Sequence, residues 1–197
     1  MRKLTTPEMH RLTIEEFREA EKLPLVVVLD DVRSMYNVGS VFRTCDAFRI
    51  EELWLCGITG TPPHTEIHKT ALGAEDSVAW RHCATALEAV RSLQQRGFRV
   101  YAIEQAEGST KLQNLPRQTI PTAVVFGNEV KGVHQEVVDA CDGCLEIPQF
   151  GTKHSLNVSV TAGMVIWELA RQAIAPEAEA EVGETLTSVS YTHLRAH

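Results

Sequence analysis

Five polar residues could do chemistry together if folding gathers them: Asn37, Arg43, Glu129, Ser155 and Asn157. They lie in three stretches, each following an aliphatic run: Asp30 to Thr44, Gly127 to Val133, and Ile147 to Asn157. An arginine supplies a permanent cation with a fork of donors, suited to a phosphate or a developing oxyanion. Amides and a hydroxyl position a substrate, and a carboxylate orders nearby N–H groups. The Gly and Pro turns around them can present backbone N–H and C=O groups to a planar, neutral heterocycle such as adenine. The same residues also fit plainer work. Asn37 and Ser155 could cap helices, and Arg43 could pair with Glu129 as a structural ion pair. Spacing alone leaves both readings open.

Other chemistries fit less well. There is no G-x-G-x-x-G. Gly127 and Gly132 have the spacing of a phosphate-binding loop, but Val133 stands where lysine is needed. Ser155 beside His154 is no triad, because chain neighbours point in different directions. The five cysteines include one C-x-x-C, Cys141 to Cys144, with no second pair to complete a zinc site. It spans an Asp-Gly turn rather than opening a helix, so a redox role fits poorly too.

The elements that must position these residues alternate. Thr13-Ile14-Glu15-Glu16 reads as a capping box opening a short helix to about Lys22. Leu25 to Leu29 is a continuous aliphatic run, as in a strand buried on both faces. Further strands are expected at Glu52–Cys56, Phe98–Ile103, Thr122–Phe126 and Cys144–Ile147. Helices are expected at Val38–Phe48, Thr85–Arg96, His134–Ala140 and Leu156–Ala173. Thr59 to Ser77, with its Gly and Pro residues, reads mostly as loop. This alternation predicts an α/β domain whose mostly parallel sheet carries helices on both faces. In such sheets ligands bind beyond the carboxyl ends of the strands, where all three polar stretches fall.

A chain of 197 residues with 44% hydrophobic and 23% charged content suits one domain with a real core. We expect a helical extension at 1–22, the α/β domain at 23–175 and a tail at 176–197. The tail starts acidic and Ala-rich, and from Thr185 it has no clear period. No apolar run is long enough to span a membrane, and the N-terminus has no apolar signal core, so a cytoplasmic location is expected. The net charge of −7 argues against a protein that coats nucleic acid non-specifically, yet it permits a local basic patch.

The three polar stretches together resemble the SpoU/TrmH family of RNA ribose 2′-O-methyltransferases, in the SPOUT superfamily. Its motif N-x-G-x-x-x-R-T is matched by Asn37, Gly39, Arg43 and Thr44. G-x-E-x-x-G is matched by Gly127, Glu129 and Gly132. I-P, then G, then S-L-N-V-S-V is matched by Ile147-Pro148, Gly151 and Ser155 to Val160. The resemblance covers roughly Leu25 to Arg171.

It implies a C-terminal deep trefoil knot that holds S-adenosylmethionine, with a pocket made by Ile103, Glu104, Gly127, Ile147 and Leu156. It implies a homodimer whose active site lies at the interface, with Arg43 supplied from across it. The acceptor would be a ribose 2′-hydroxyl of RNA, tRNA rather than rRNA. Arginine is an awkward general base because it stays charged. Arg43 is therefore read as binding the adjacent phosphate and stabilising the developing alkoxide, while Asn37, Glu129, Ser155 and Asn157 order the loops and the ribose. Gln149 stands where the family often has Met. The segment 1–22 is too short for a separate RNA-binding domain, and its acids and bases balance. The alternatives are a non-catalytic RNA-binding or assembly protein of the same fold, and a methyltransferase acting on a small molecule or protein.

Overall fold

The computed structural model describes residues 1–174, so the expected tail at 176–197 lies outside the described residues. Helix α1 (Ile14–Glu19) opens on the capping box. Thr13 accepts the Glu16 N–H at 3.2 Å, and the Glu16 carboxylate accepts the Thr13 N–H at 2.7 Å. It ends three residues before Lys22, because Ala20 turns extended and the Lys22 ammonium caps the Phe17 and Ala20 carbonyls. Phe17 is buried in the main core, so this short helix packs on the domain.

Strand β1 (Leu23–Asp30) follows directly. Its aliphatic run is continuous because both sheet faces are covered. Leu25, Val27 and Leu29 join one core cluster, while Val26 and Val28 join the other. Pro24 lies where the pairing register with the neighbouring strand shifts, a place that tolerates a missing N–H.

Next come α2 (Met35–Ala47) and β2 (Ile50–Cys56). The expected loop at Thr59–Ser77 instead holds two short helices, α3 (Thr65–Ala71) and α4 (Ala74–Ser77). Leu72 and Gly73 break them apart in the left-handed region, at φ 54° and 93°. The Gly and Pro signals there mark boundaries of one-turn and two-turn helices rather than one long loop.

Strand β3 (Trp80–Cys83) and helix α5 (Ala86–Gln95), capped by Thr85, lead to β4 (Arg99–Ile103). Then follow β5 (Thr110–Lys111), β6 (Thr122–Phe126), α6 (Gln135–Ala140), β7 (Gly143–Glu146) and α7 (Val158–Ala173). Neither β3 nor β5 is legible in the sequence. Both are short, lie at the sheet edges and lack an apolar run.

The seven strands pair in parallel in the order β3-β2-β1-β6-β4-β7-β5. Residues of α2, α3 and α7 pack in the core on one face, and residues of α5 and α6 on the other. Phe126 pairs with both Leu29 and Ile103, and Ile103 with Leu145. The carboxyl ends of β1, β6, β4 and β7 therefore align, and their exit loops open on one edge. Among the described residues no helix is long and apolar enough to cross a membrane.

Candidate active site at the carboxyl edge of the sheet

Helix α2 begins three residues earlier than its apolar periodicity suggests. Ser34 caps it by accepting the Asn37 N–H at 3.3 Å. Asn37 is therefore neither in a loop nor a cap. It sits in the first helical turn and is buried. The cap of α7 is Asn157 rather than Ser155. Its Oδ1 accepts N–H groups of Ser159 at 2.9 Å and Val160 at 3.4 Å, together with the Ser159 hydroxyl at 2.6 Å.

These residues join Glu129 in a chain of side-chain hydrogen bonds. The Glu129 carboxylate accepts backbone N–H groups of Arg33 and Ser34, each at 3.0 Å, and the Asn37 amide at 3.2 Å. Asn37 Oδ1 then accepts the Asn157 amide at 3.1 Å. Burial opposes ionisation of Glu129, but the Arg33 and Ser34 N–H groups outweigh it and hold its pKa below the ordinary carboxylate value. Three elements separated widely in sequence are thus clamped by one anion and two amides.

Arg43 takes no part in this chain. It lies further along α2, exposed, and forms no ion pair with Glu129. Among the described residues its guanidinium has no hydrogen-bond partner. Ser155 is exposed and its side chain is likewise without a partner among them.

The residues expected to hold a nucleoside lie at three adjacent strand ends. Ile103 closes β4 and packs, half-buried, against the core, as does Ile147 just after β7. Glu104 accepts the N–H groups of Gln105 at 2.8 Å and Val133 at 3.0 Å. Gly127 follows β6, and Leu156 is 38% exposed. The loop after β6 folds tightly upon itself. A Cβ at Gly127 would lie 2.0 Å from the Gly132 carbonyl carbon, and Gly132 has φ +69°. Aliphatic side chains, glycine backbone and one carboxylate, Glu104, gather at these strand ends. That chemistry fits a flat heterocycle and a cationic sulfonium.

Several residues that position these loops are missed by motif reading. Asn128, buried, donates to the Asp31 carbonyl at 2.7 Å and accepts N–H groups of Val130 at 2.9 Å and Lys131 at 3.2 Å. Thr59 accepts the Val32 N–H at 3.0 Å and donates to the Leu29 carbonyl at 3.1 Å. For Asn128 a signal existed, since Asn after a buried strand and before a glycine-closed turn favours a side-chain-capped turn. Nothing local marks Thr59. His134 pairs with buried Asp30 at 3.1 Å where α6 begins. Cys141 and Cys144 are free thiols. Burial pushes Cys141 up to about 12, and Asp142 between them accepts the Val100 N–H at 2.8 Å.

An all-parallel α/β sheet with an amide–carboxylate clamp across its carboxyl edge places the polar residues where such folds bind ligands. The chain belongs to the SpoU rRNA Methylase family, whose model matches residues 24–167. It is 36% identical over 167 residues to the tRNA (guanosine(18)-2′-O)-methyltransferase of Thermus thermophilus, covering 85% of this chain and 84% of that protein. Its fold is similar to the A. aeolicus TrmH/SpoU tRNA modifying enzyme, with TM-score 0.72, 28% identity and 81% of each chain covered. It is also similar to the AdoMet-bound rRNA methyltransferase of Sinorhizobium meliloti, with TM-score 0.72 and 26% identity, over 81% of this chain and 61% of that one.

Proposed function

We propose that this chain transfers a methyl group from S-adenosylmethionine to a ribose 2′-hydroxyl of RNA, with tRNA as the acceptor. The observation that carries this is the clamp of Asn37, Glu129 and Asn157, which fixes three loops around strand ends lined by Ile103, Ile147 and the Glu104 carboxylate. The similarity to tRNA-modifying relatives supports the acceptor, since it extends over 84% of the Thermus protein and 81% of the A. aeolicus one.

Ile103, Glu104, Gly127, Ile147 and Leu156 would hold the donor, which when bound supplies an electrophilic methyl on a sulfonium. Such a displacement is in line, so alignment of the hydroxyl is the main demand on the protein. Asn37, Glu129, Ser155 and Asn157 meet it by ordering loops and ribose. Arg43, with its guanidinium free of partners among the described residues, binds the adjacent phosphate and stabilises the alkoxide as the proton leaves to phosphate or water.

The protein acts as a homodimer, with Arg43 of one protomer completing the site of the other. Supporting this is an exposed stripe on α7, Val160, Met164 and Trp167, at 49%, 43% and 50% exposure. The three residues recur at helical spacing on one side, and Trp167 meets Phe48 at the end of the Arg43 helix, with ring centroids 5.8 Å apart. The C-terminal part is a trefoil knot. The strand order supports it, because β7 inserts between β4 and β5 before the chain returns to α2. The domain at 23–175, with the 1–22 extension anchored on it through Phe17, works on cytoplasmic RNA.

The decisive experiment incubates the protein with labelled S-adenosylmethionine and unmodified tRNA or rRNA, then identifies the methylated nucleoside by mass spectrometry. A 2′-O-methylnucleoside in tRNA, absent with Arg43→Ala, is the expected outcome. Incorporation that survives ribonuclease treatment would refute an RNA acceptor.

A further inference from the structure

The loop after β7 is exposed at every residue from Phe150 to Asn157, and the Phe150 side chain is 96% exposed. A phenyl ring so exposed carries an apolar cost unless something covers it. The strand-exit loops carry three exposed cations, on a chain that is acidic overall at −7. Lys153 follows on the same loop, Lys131 is exposed on the loop after β6, and Arg33 is exposed on the loop after β1. Among the described residues none of these three cations forms an ion pair. The Glu129 and Glu104 carboxylates are taken up by backbone N–H groups that order the loops, and neither pairs with these cations. The loops are also fixed relative to one another. Glu129 ties the Arg33 loop to the Lys131 loop, and Asn157 ties the end of the Phe150 loop to α2.

We infer that this rim is the acceptor-binding surface, and that it selects an unpaired RNA segment: Phe150 stacks on a base near the target ribose, and Arg33, Lys131 and Lys153 contact flanking phosphates. A base inside a helix has both faces covered by its neighbours, so a protruding ring has a partner only in a loop, bulge or end. Three cations on three loops can follow a bent single strand, while a duplex is read over a longer, regular surface. The surface serves the transferase reaction proposed above and rests on that reading.

The test is equilibrium binding of the full chain to two labelled probes, a twelve-nucleotide single-stranded RNA and the same sequence as a duplex, between 50 and 200 mM salt. The single strand is expected to bind more tightly. Three phosphate contacts give a log–log salt slope of about −2, and Arg33→Ala, Lys131→Ala or Lys153→Ala each flatten it by ~0.7. Phe150→Ala is expected to weaken binding about five- to a hundredfold with the slope unchanged, and Phe150→Trp to restore it. S-adenosylmethionine affinity stays the same in all variants. Equal binding by Phe150→Ala, or a preference for duplex, overturns the inference. So does a Phe150→Ala that changes sedimentation or donor affinity instead, which would make the ring a subunit contact or a pocket wall. Methyl incorporation by the unaltered protein is read separately. Binding as described without methylation would refute the enzymatic reading alone, and methylation with Phe150 immaterial would refute this surface alone.

Discussion

Asn37, Glu129 and Asn157 do different work from Arg43, and substitutions should separate them. Arg43 is exposed and makes no hydrogen bond or ion pair among the described residues, so Arg43→Lys should leave stability and donor affinity unchanged. It should lower kcat on tRNA about 100-fold, because an ammonium cannot reproduce the planar fork at the developing oxyanion. Near-normal turnover would show that Arg43 is only a charge. Glu129 is different. Its folded pKa lies below the ordinary 4.5, so its contribution to stability is full above that value and fades as pH falls through the folded pKa. Glu129→Gln should therefore cost about 1 kcal/mol at neutral pH, as solvent-screened charged hydrogen bonds do, and progressively less as pH falls below the ordinary carboxylate value. Urea midpoints across that acid range check this, and a gap that does not narrow would contradict it. Type and spacing made these residues legible as candidates. Their pairing was not legible, because Glu129 prefers two backbone N–H groups and an amide over the arginine that sequence offered it.

At the scale of elements, the tight turn after β6 and the cap of α7 set the site's shape. Gly127→Ala would drive a methyl into the Gly132 backbone, so it should destabilise by about 3 kcal/mol or more and abolish donor binding. Gly151 has open space where a Cβ would stand, so Gly151→Ala should stay within about 0.5 kcal/mol of the parent. Thermal melts of the two variants, with calorimetry against S-adenosylmethionine, would reveal either error. The helix starts show how local signals mislead by a few residues. Apolar periodicity begins α2 at Val38, but Ser34 supplies the cap and places Asn37 inside the helix, aimed at Glu129. Ser155 reads in the sequence as a possible helix cap, but the path of the loop gives that place on α7 to Asn157.

For the whole molecule, the proposed exchange of Arg43 across a dimer makes a prediction that no single chain can satisfy. Arg43→Ala and Glu129→Ala should each be inactive. Unfolded together and refolded as a mixture, they should recover about a quarter of the parent activity, since half the dimers are mixed and each has one intact site. No recovery would place Arg43 in the site of its own chain. Charge on the α7 stripe should act at the same scale. Trp167→Glu is expected to give monomers by sedimentation and to lose methyl transfer while keeping the fold by circular dichroism.

The sequence by itself determined the layered α/β class. A run such as Leu25–Leu29, alternating in the chain with amphipathic helical stretches, marks a strand covered on both faces, and hydrophobic period is a local property of the chain. It also determined which residue types stand after each strand, and so which chemistry was possible. The tertiary structure decided the rest: the strand order, the short edge strands, and the joining of Asn37 to a residue 120 positions away. Those outcomes depend on which strand ends meet. That is fixed by packing of the whole core and leaves no trace in any window of neighbouring residues.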